Sequence, residues 1–341
     1  MLPPMIEVLS ADDQALAKAV DRLRRGLLVA FPTETVYGLG ADGRNAEAVA
    51  SVYRLKSRPQ AHPLIVHLPA ASAVWHWADR GVQADRGFEP AAVDELVAAL
   101  WPGPLTVVLW AARGVSRGLT GGQDTVAVRV PANETALALL GAFGSGVVAP
   151  SANRFGMVSP TAAQHVADEF ADASVDLLVL DGGATRLGVE STVIDLTTPS
   201  PRLLRPGALL PTVIETSLGT KLQAAARDTP RAPGSLKQHY APATPLRLAT
   251  TDSLTVRPAG AAVIARFPEP QRGSDTGRAP WLLLPADAQG FAHGLYAALR
   301  HADGSGAGLI LVEEPPSGEE WLAVRDRLER AAAAHVDGGD D

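Results

Sequence analysis

The sequence predicts a mixed α/β protein: a mixed sheet with helices packed on it, followed by a small parallel α/β domain. Three observations carry this. Over the first 210 residues, short apolar runs and helix-patterned segments interleave irregularly. From 211 to 245 a short helical stretch gives way to ARDTPRAPGSLKQHYAPATPL, which has no hydrophobic period and reads as a long linker. Beyond 245, strand and helix patterns alternate, the rhythm of parallel units. The expected divisions are 1–212, a linker over 213–245, and 246–335.

SADDQALAKAVDRLRRG reads as a helix with Ser10 as N-cap, acidic residues in its first turn and Gly26 as its stop. LLVAFPTETVYG follows as a strand and extended segment, and NAEAVASVYRLK as a helix capped by Asn45. PLIVHL is a short strand, AAVDELVAALW a helix ending at Pro102, and LTVVLW a strand. DTVAVRVP alternates, GVVAPSAN runs into a loop, and VDLLVLDGG and STVIDL are further strands. In the last third, GAAVIARF, WLLLP and GLILVEE are strands, with helices over DAQGFAHGLYAALRHAD and SGEEWLAVRDRLERAAA. The tail HVDGGDD is expected to fray.

Composition narrows the chemistry. Of 341 residues 46 % are hydrophobic and 20 % charged, an ordinary globular balance. The net charge of −7 argues against a protein that coats nucleic acid. The absence of cysteine removes thiol catalysis, iron–sulfur clusters and disulfides. MLPPMIEVLSADD lacks the basic and apolar regions of a signal peptide, and no apolar run is long enough to span a membrane, so a cytoplasmic location is expected.

The motifs point to anion binding without naming a reaction. In LKSRP, Pro59 pushes Arg58 toward extended backbone, and an extended Lys56–Arg58 would set both cations on one side, as a phosphate chain requires. Two cations closing a helix C-terminus explain the same residues. In FPTETVYG, an extended segment would project Thr33, Thr35 and Tyr37 to one face and Glu34 and Val36 to the other. In DTVAVRVP, Thr125, Ala127 and Arg129 share one face opposite three valines; a buried Arg129 needs a carboxylate, from the chain or from a substrate. Ser151 and Asn153 of APSAN lie two apart just after an apolar strand, where α/β folds place ligand loops. There is no P-loop, no H-E-x-x-H, no G-x-S-x-G and no compact cluster for a structural metal.

Taken in order, FPTETVYGLGADG, LKSRP, HPLIVH, WPGPLTVVL, DTVAVRVP, APSAN, GVESTVIDL and LLRPG resemble the YrdC-like threonylcarbamoyl-adenylate synthases over roughly residues 5–210. APGSLKQHYAP resembles the linker signature of the long, two-domain form. The resemblance implies a YrdC-like twisted mixed sheet with flanking helices around a concave cavity, plus a small C-terminal Rossmann-like domain. It implies the conversion of L-threonine, bicarbonate (or CO2) and ATP into L-threonylcarbamoyladenylate and pyrophosphate. The product would be handed to the tRNA threonylcarbamoyl-transferase complex for modification of adenosine 37.

By the same resemblance, Lys56 and Arg58 are the catalytic pair facing the phosphates, and Mg2+ rides with ATP; both cations are expected to be exposed in the cavity. His62, Ser151, Asn153, Ser159 and Arg205 would surround ATP, with His239 and Tyr240 closing as a lid; Lys237 and Arg231 carry less weight as site residues. Thr33, Thr35, Tyr37, His67, Thr125, Arg129 and Ser191 would form the threonine pocket. Two other readings stand beside it: an RNA-binding YrdC-like module, with weak RNA contact, and a carbamoyl-adenylate-forming carbamoyltransferase. The chain lacks the extra modules of the latter and an aromatic-plus-basic stripe for the former.

Overall fold

The computed structural model describes residues 6–226, 228–234, 236, 238–270 and 279–335; Lys237 and the tail after residue 335 lie outside them. The chain divides into two compact units: residues 1–154, 160–186 and 190–235, and residues 155–159, 187–189 and 236–341.

The first unit opens with β1 (Ile6–Ser10), α1 (Asp13–Arg24), β2 (Val29–Pro32), β3 (Tyr37–Asp42), α2 (Ala46–Lys56) and β4 (Ile65–His67). A 3₁₀ turn over Ala71–His76 leads to α3 (Arg80–Arg86), α4 (Pro90–Leu100), β5 (Leu105–Trp110), β6 (Thr125–Arg129) and α5 (Glu134–Phe143). It closes with β7 (Val147–Val148), α6 (Ala163–Glu169), β8 (Leu177–Asp181), β9 (Thr192–Asp195), β10 (Arg202–Arg205), α7 (Pro211–Leu218) and β11 (Gln223–Ala224). The strands form one sheet in the order β1-β8-β2-β3-β7-β4-β6-β5-β9-β10-β11. It is mixed: β4 runs parallel to β6 and β5 to β9, whereas β7 is antiparallel to β3 and β4, and β5 to β6.

The two faces of the central strands differ in chemistry. Val66, Val107, Leu109, Val126, Val128 and Ile194 join the large apolar core with α2 and α4. The alternate residues face the other way, as a period of two requires. There only a small apolar set gathers, Ile65, Val108, Ala127, Val193, Leu204 and Ala232. Interleaved with it along the strands are the buried polar residues His67, Thr106, Thr125, Arg129 and Ser191. The alternation read from DTVAVRVP is therefore the alternation observed.

Local sequence explains most of the elements and three departures. Asn45 caps α2 as expected, its Oδ1 accepting from the amides of Glu47 and Ala48 at 3.0 and 3.1 Å. The cap of α1 is Asp12, accepting from Ala15 N–H at 2.8 Å, because Ser10 is already the last residue of β1. The segment after Pro32 is not extended. Thr33 N–H reaches Val36 O at 3.2 Å and closes a turn before β3. Residues 231–234 of the expected linker are held on the first unit. There Arg231 donates to Gly121 O (2.7 Å), Ala61 O (3.1 Å) and Gln123 Oε1 (2.6 Å).

In the second unit, β12 (Leu246–Ala249), α8 (Thr251–Thr255), β13 (Ala261–Ala265), β14 (Trp281–Leu283), α9 (Ala288–Asp303), β15 (Leu309–Glu313) and α10 (Leu322–Ala333) follow in order. Their four strands are all parallel, in the order β12-β15-β13-β14. This is the parallel α/β arrangement the alternation predicted, with β12 and α8 the elements the sequence reading passed over.

Replacing the cap of α2 tests this local account. Asn45→Ala should cost about 1 kcal/mol, read as a lowered urea midpoint with unchanged slope. An unchanged midpoint would show that tertiary packing alone sets the start of α2.

Candidate functional site

Helix α2 ends at Lys56, and the chain leaves it through Ser57 in the left-handed region, φ 51°. Arg58 N–H then bonds back to Tyr53 O at 2.9 Å. Lys56 and Arg58 therefore do not lie along an extended strand, and they donate to different loops. The Lys56 ammonium, 1 % exposed, donates to Ser151 O at 2.6 Å and to Asn153 O. Arg58 donates to Pro63 O at 2.9 Å and His62 O at 3.3 Å.

Neither is the exposed cavity cation expected from the sequence: Arg58 is only 8 % exposed. Burial, then the charge of Arg58, pull the Lys56 pKa well below its ordinary value. Lys56 thus joins the end of α2 to the loop after β7 that carries Ser151 and Asn153. Ser151 bridges to Gly38 of β3, and Asn153 donates to Arg154 O at 2.7 Å.

The loop holding His62 is tied from three sides. Tyr53 donates its hydroxyl hydrogen to His62 O at 2.9 Å, Arg58 donates to the same carbonyl, and Arg231 donates to Ala61 O. Burial pushes the Tyr53 hydroxyl up to about 12. Burial, then the neighbouring Arg58 and Arg231, lower the His62 pKa.

A second group forms at the C-terminal ends of β4 and β6. His67 and Arg129 are register partners there. The turn after Pro32 brings Glu34 to Arg129, with Oε1 2.6 Å from Nη2 and both side chains at most 4 % exposed. Arg129 also donates to Thr35 Oγ1 at 3.1 Å and to Gly103 O at 3.2 Å. The carboxylate that a buried Arg129 needs therefore comes from within the chain. Sequence reasoning missed Glu34 because an extended segment would have aimed it away from Thr35. Its signal was present: it is the one charged residue between Gly26 and Asp42.

Thr33, Thr35 and Tyr37 do not present three hydroxyls to one face. Thr33 Oγ1 donates to Val36 O at 2.7 Å and lies 2.8 Å from Thr35 Oγ1. The Tyr37 hydroxyl donates to Gly183 O at 2.7 Å.

Beside this group, Ser191 Oγ lies 2.8 Å from Thr106 Oγ1 and accepts from Arg205 at 3.1 Å. Arg205 also donates to Ser191 O at 2.8 Å and to Pro233 O at 2.9 Å. Thr125 shares the face with Arg129 but begins β6, at the end where Arg129 is not. Ser159, His239 and Tyr240 belong to the second unit. There Tyr240, at φ 62° and 1 % exposed, stacks on Tyr296, with Arg327 4.9 Å from its ring centre.

His67 is 3 % exposed and meets the Phe31 ring edge-on. Burial first, then the charge of Arg129, lower its pKa to about 3. It is a neutral imidazole beside a guanidinium, able to hydrogen-bond a ligand without adding charge. The depressed value costs stability in acid: its contribution is full above the unfolded value near 6.5 and is lost as pH falls toward 3. Wild-type stability should drop by up to about 1.4 kcal/mol per pH unit more than that of His67→Gln between about pH 6 and about pH 4. Urea midpoints at each pH measure this; parallel pH profiles would show that His67 titrates normally.

Comparison with known proteins identifies the family. A family model described as "Telomere recombination" (Sua5, YciO, YrdC) matches residues 21–207, and one described as "Threonylcarbamoyl-AMP synthase, C-terminal domain" matches residues 209–333. The threonylcarbamoyl-AMP synthase of Pyrococcus abyssi is 39 % identical over 325 residues, covering 92 % of this chain and 93 % of that protein. The Bacillus subtilis enzyme of the same name is 36 % identical and covers 96 % of each. The crystal structure of P. abyssi Sua5 complexed with L-threonine superposes with a TM-score of 0.83 at 35 % identity, over 97 % of this chain and 98 % of that one. The chain belongs to the Sua5–YrdC family of threonylcarbamoyl-AMP synthases, in the form that carries the C-terminal domain.

Proposed function

We propose that this protein forms L-threonylcarbamoyladenylate from L-threonine, bicarbonate and ATP, releasing pyrophosphate and water, for the N6-threonylcarbamoylation of adenosine 37 in tRNA. The observation that carries the reading is the polar group on one face of the first unit's sheet. Arg129, Thr35, Glu34, His67 and Ser191 are buried there against a sparse apolar set. Such a face suits a small, charged and hydroxylated ligand better than an apolar one. The similarity to a threonine-bound relative supports threonine as that ligand.

In this reading threonine occupies the Thr35–His67–Arg129–Ser191 side. Glu34 and Gly103 O hold the Arg129 guanidinium in one orientation, so the donors it turns to a carboxylate are preorganised. Thr33 and Tyr37 act through the turn and strand that present Thr35, since their own hydroxyls are spent on carbonyls. ATP occupies the side of Arg58, His62, Ser151, Asn153 and Arg205. Lys56 works there as a positioning residue, through the carbonyls of Ser151 and Asn153. The threonine amine is carboxylated, a carbamate oxygen attacks the α-phosphorus, and pyrophosphate leaves with its charge stabilised by fixed cations. Mg2+ enters with ATP as part of the substrate.

Incubation with ATP, bicarbonate and each amino acid, followed by pyrophosphate and the adenylate, tests the reading. Pyrophosphate release should require L-threonine, and 2-aminobutyrate, which lacks only the hydroxyl, should be rejected by a factor on the order of 10⁴. Release independent of threonine, or none at all, would refute it.

A further inference from the structure

We propose a second anion site on the first unit, on the opposite side of the sheet from His67 and Arg129, that takes a phosphate group. A cavity of about 200 Å³ is lined by Gly43, Arg44, His76, Trp77, Arg113 and Ser116, among others. Trp77 packs in the large core with Val66, whereas Ile65, on the alternate side of β4, joins the small cluster beside His67. The cavity is therefore separate from the candidate site.

Charge singles it out. Arg22, Arg54, Arg80, Arg117 and Arg202 of the same unit each hold a carboxylate. Among the described residues none pairs with Arg44 or Arg113, and the cavity lining contains no acid. Two guanidinia without a carboxylate partner thus line one cavity of a chain whose net charge is −7, a local reversal of its overall sign.

The lining suits the several acceptor oxygens of a phosphate group. Guanidinium forks match phosphate oxygens two at a time, and the His76 ring and Ser116 hydroxyl add hydrogen-bonding groups. The exposed Arg44 lies over Trp77, its guanidinium carbon 5.5 Å from the centre of that ring. Trp77 itself is only 4 % exposed, so it offers no face on which a base could stack. The cavity is also smaller than the roughly 300 Å³ where pockets for drug-sized ligands begin. It accommodates a phosphate or diphosphate, either free or as part of an RNA backbone.

The test compares wild-type protein with Arg44→Ala/Arg113→Ala, using Arg44→Lys/Arg113→Lys and urea midpoints to control for charge and folding. Each is titrated calorimetrically at low salt with inorganic pyrophosphate and, separately, with a short mixed-sequence RNA. The alanine variant should lose one pyrophosphate equivalent, assigning the site to a free anion, or about tenfold in RNA affinity, assigning it to a backbone phosphate. Equal stoichiometry and equal RNA affinity in wild type and alanine variant would overturn the proposal. Threonine-dependent pyrophosphate release, measured on the same proteins, should be unchanged, so failure here is distinguishable from failure of the proposed function.

Discussion

The buried ammonium of Lys56, held by two backbone carbonyls, is the constraint on which the proposed nucleotide side of the site depends. Taking a charge out of water costs several kcal/mol unless its hydrogen bonds are replaced. Here the replacements are Ser151 O and Asn153 O, from a loop about a hundred residues further along the chain. Helix α2 therefore cannot finish in its observed place unless the loop after β7 finishes in its own. The left-handed Ser57 serves the same end, separating the directions in which Lys56 and Arg58 donate.

Glu34 and Arg129 impose a comparable condition at the C-terminal ends of β4 and β6. Either charge alone would be severely destabilising at this burial, and together they fix the turn after β2 to the end of β6. The central strands then carry two kinds of face. Valines, leucines and isoleucine on one side supply the core, while the other side trades apolar area for His67, Thr106, Thr125, Arg129 and Ser191. Stability comes from one face, and the other is left free to be polar. The neutral His67 fits this division, since a second cation beside Arg129 would lack a counter-charge.

Much of this was legible in the sequence, and the exceptions share a cause. Alternation in DTVAVRVP set Thr125 and Arg129 against three valines, and Asn45 announced the start of α2. The motifs LKSRP and APSAN were visible as sites of interest, but not their joining, because a hydrogen bond from Lys56 to a distant carbonyl leaves no local pattern. Extended geometry was assumed for PTETV and KSR, and both are turns. In each the reversal is made by backbone hydrogen bonds and residues that form turns only weakly, a Thr hydroxyl in one and a left-handed Ser in the other. The Gln123–Arg231 clasp was hidden for a similar reason, being built from one amide, one guanidinium and main-chain groups in a stretch without period.

Hydrogen exchange on the Lys56→Met protein tests the account most directly. If Lys56 builds the loop after β7, amides of residues 151–154 should exchange faster in the variant, while those of β5 and β6 keep wild-type protection and ATP binding is lost. Unchanged protection of residues 151–154 together with lost ATP binding would contradict it, making Lys56 a phosphate contact and not the tie that shapes the loop.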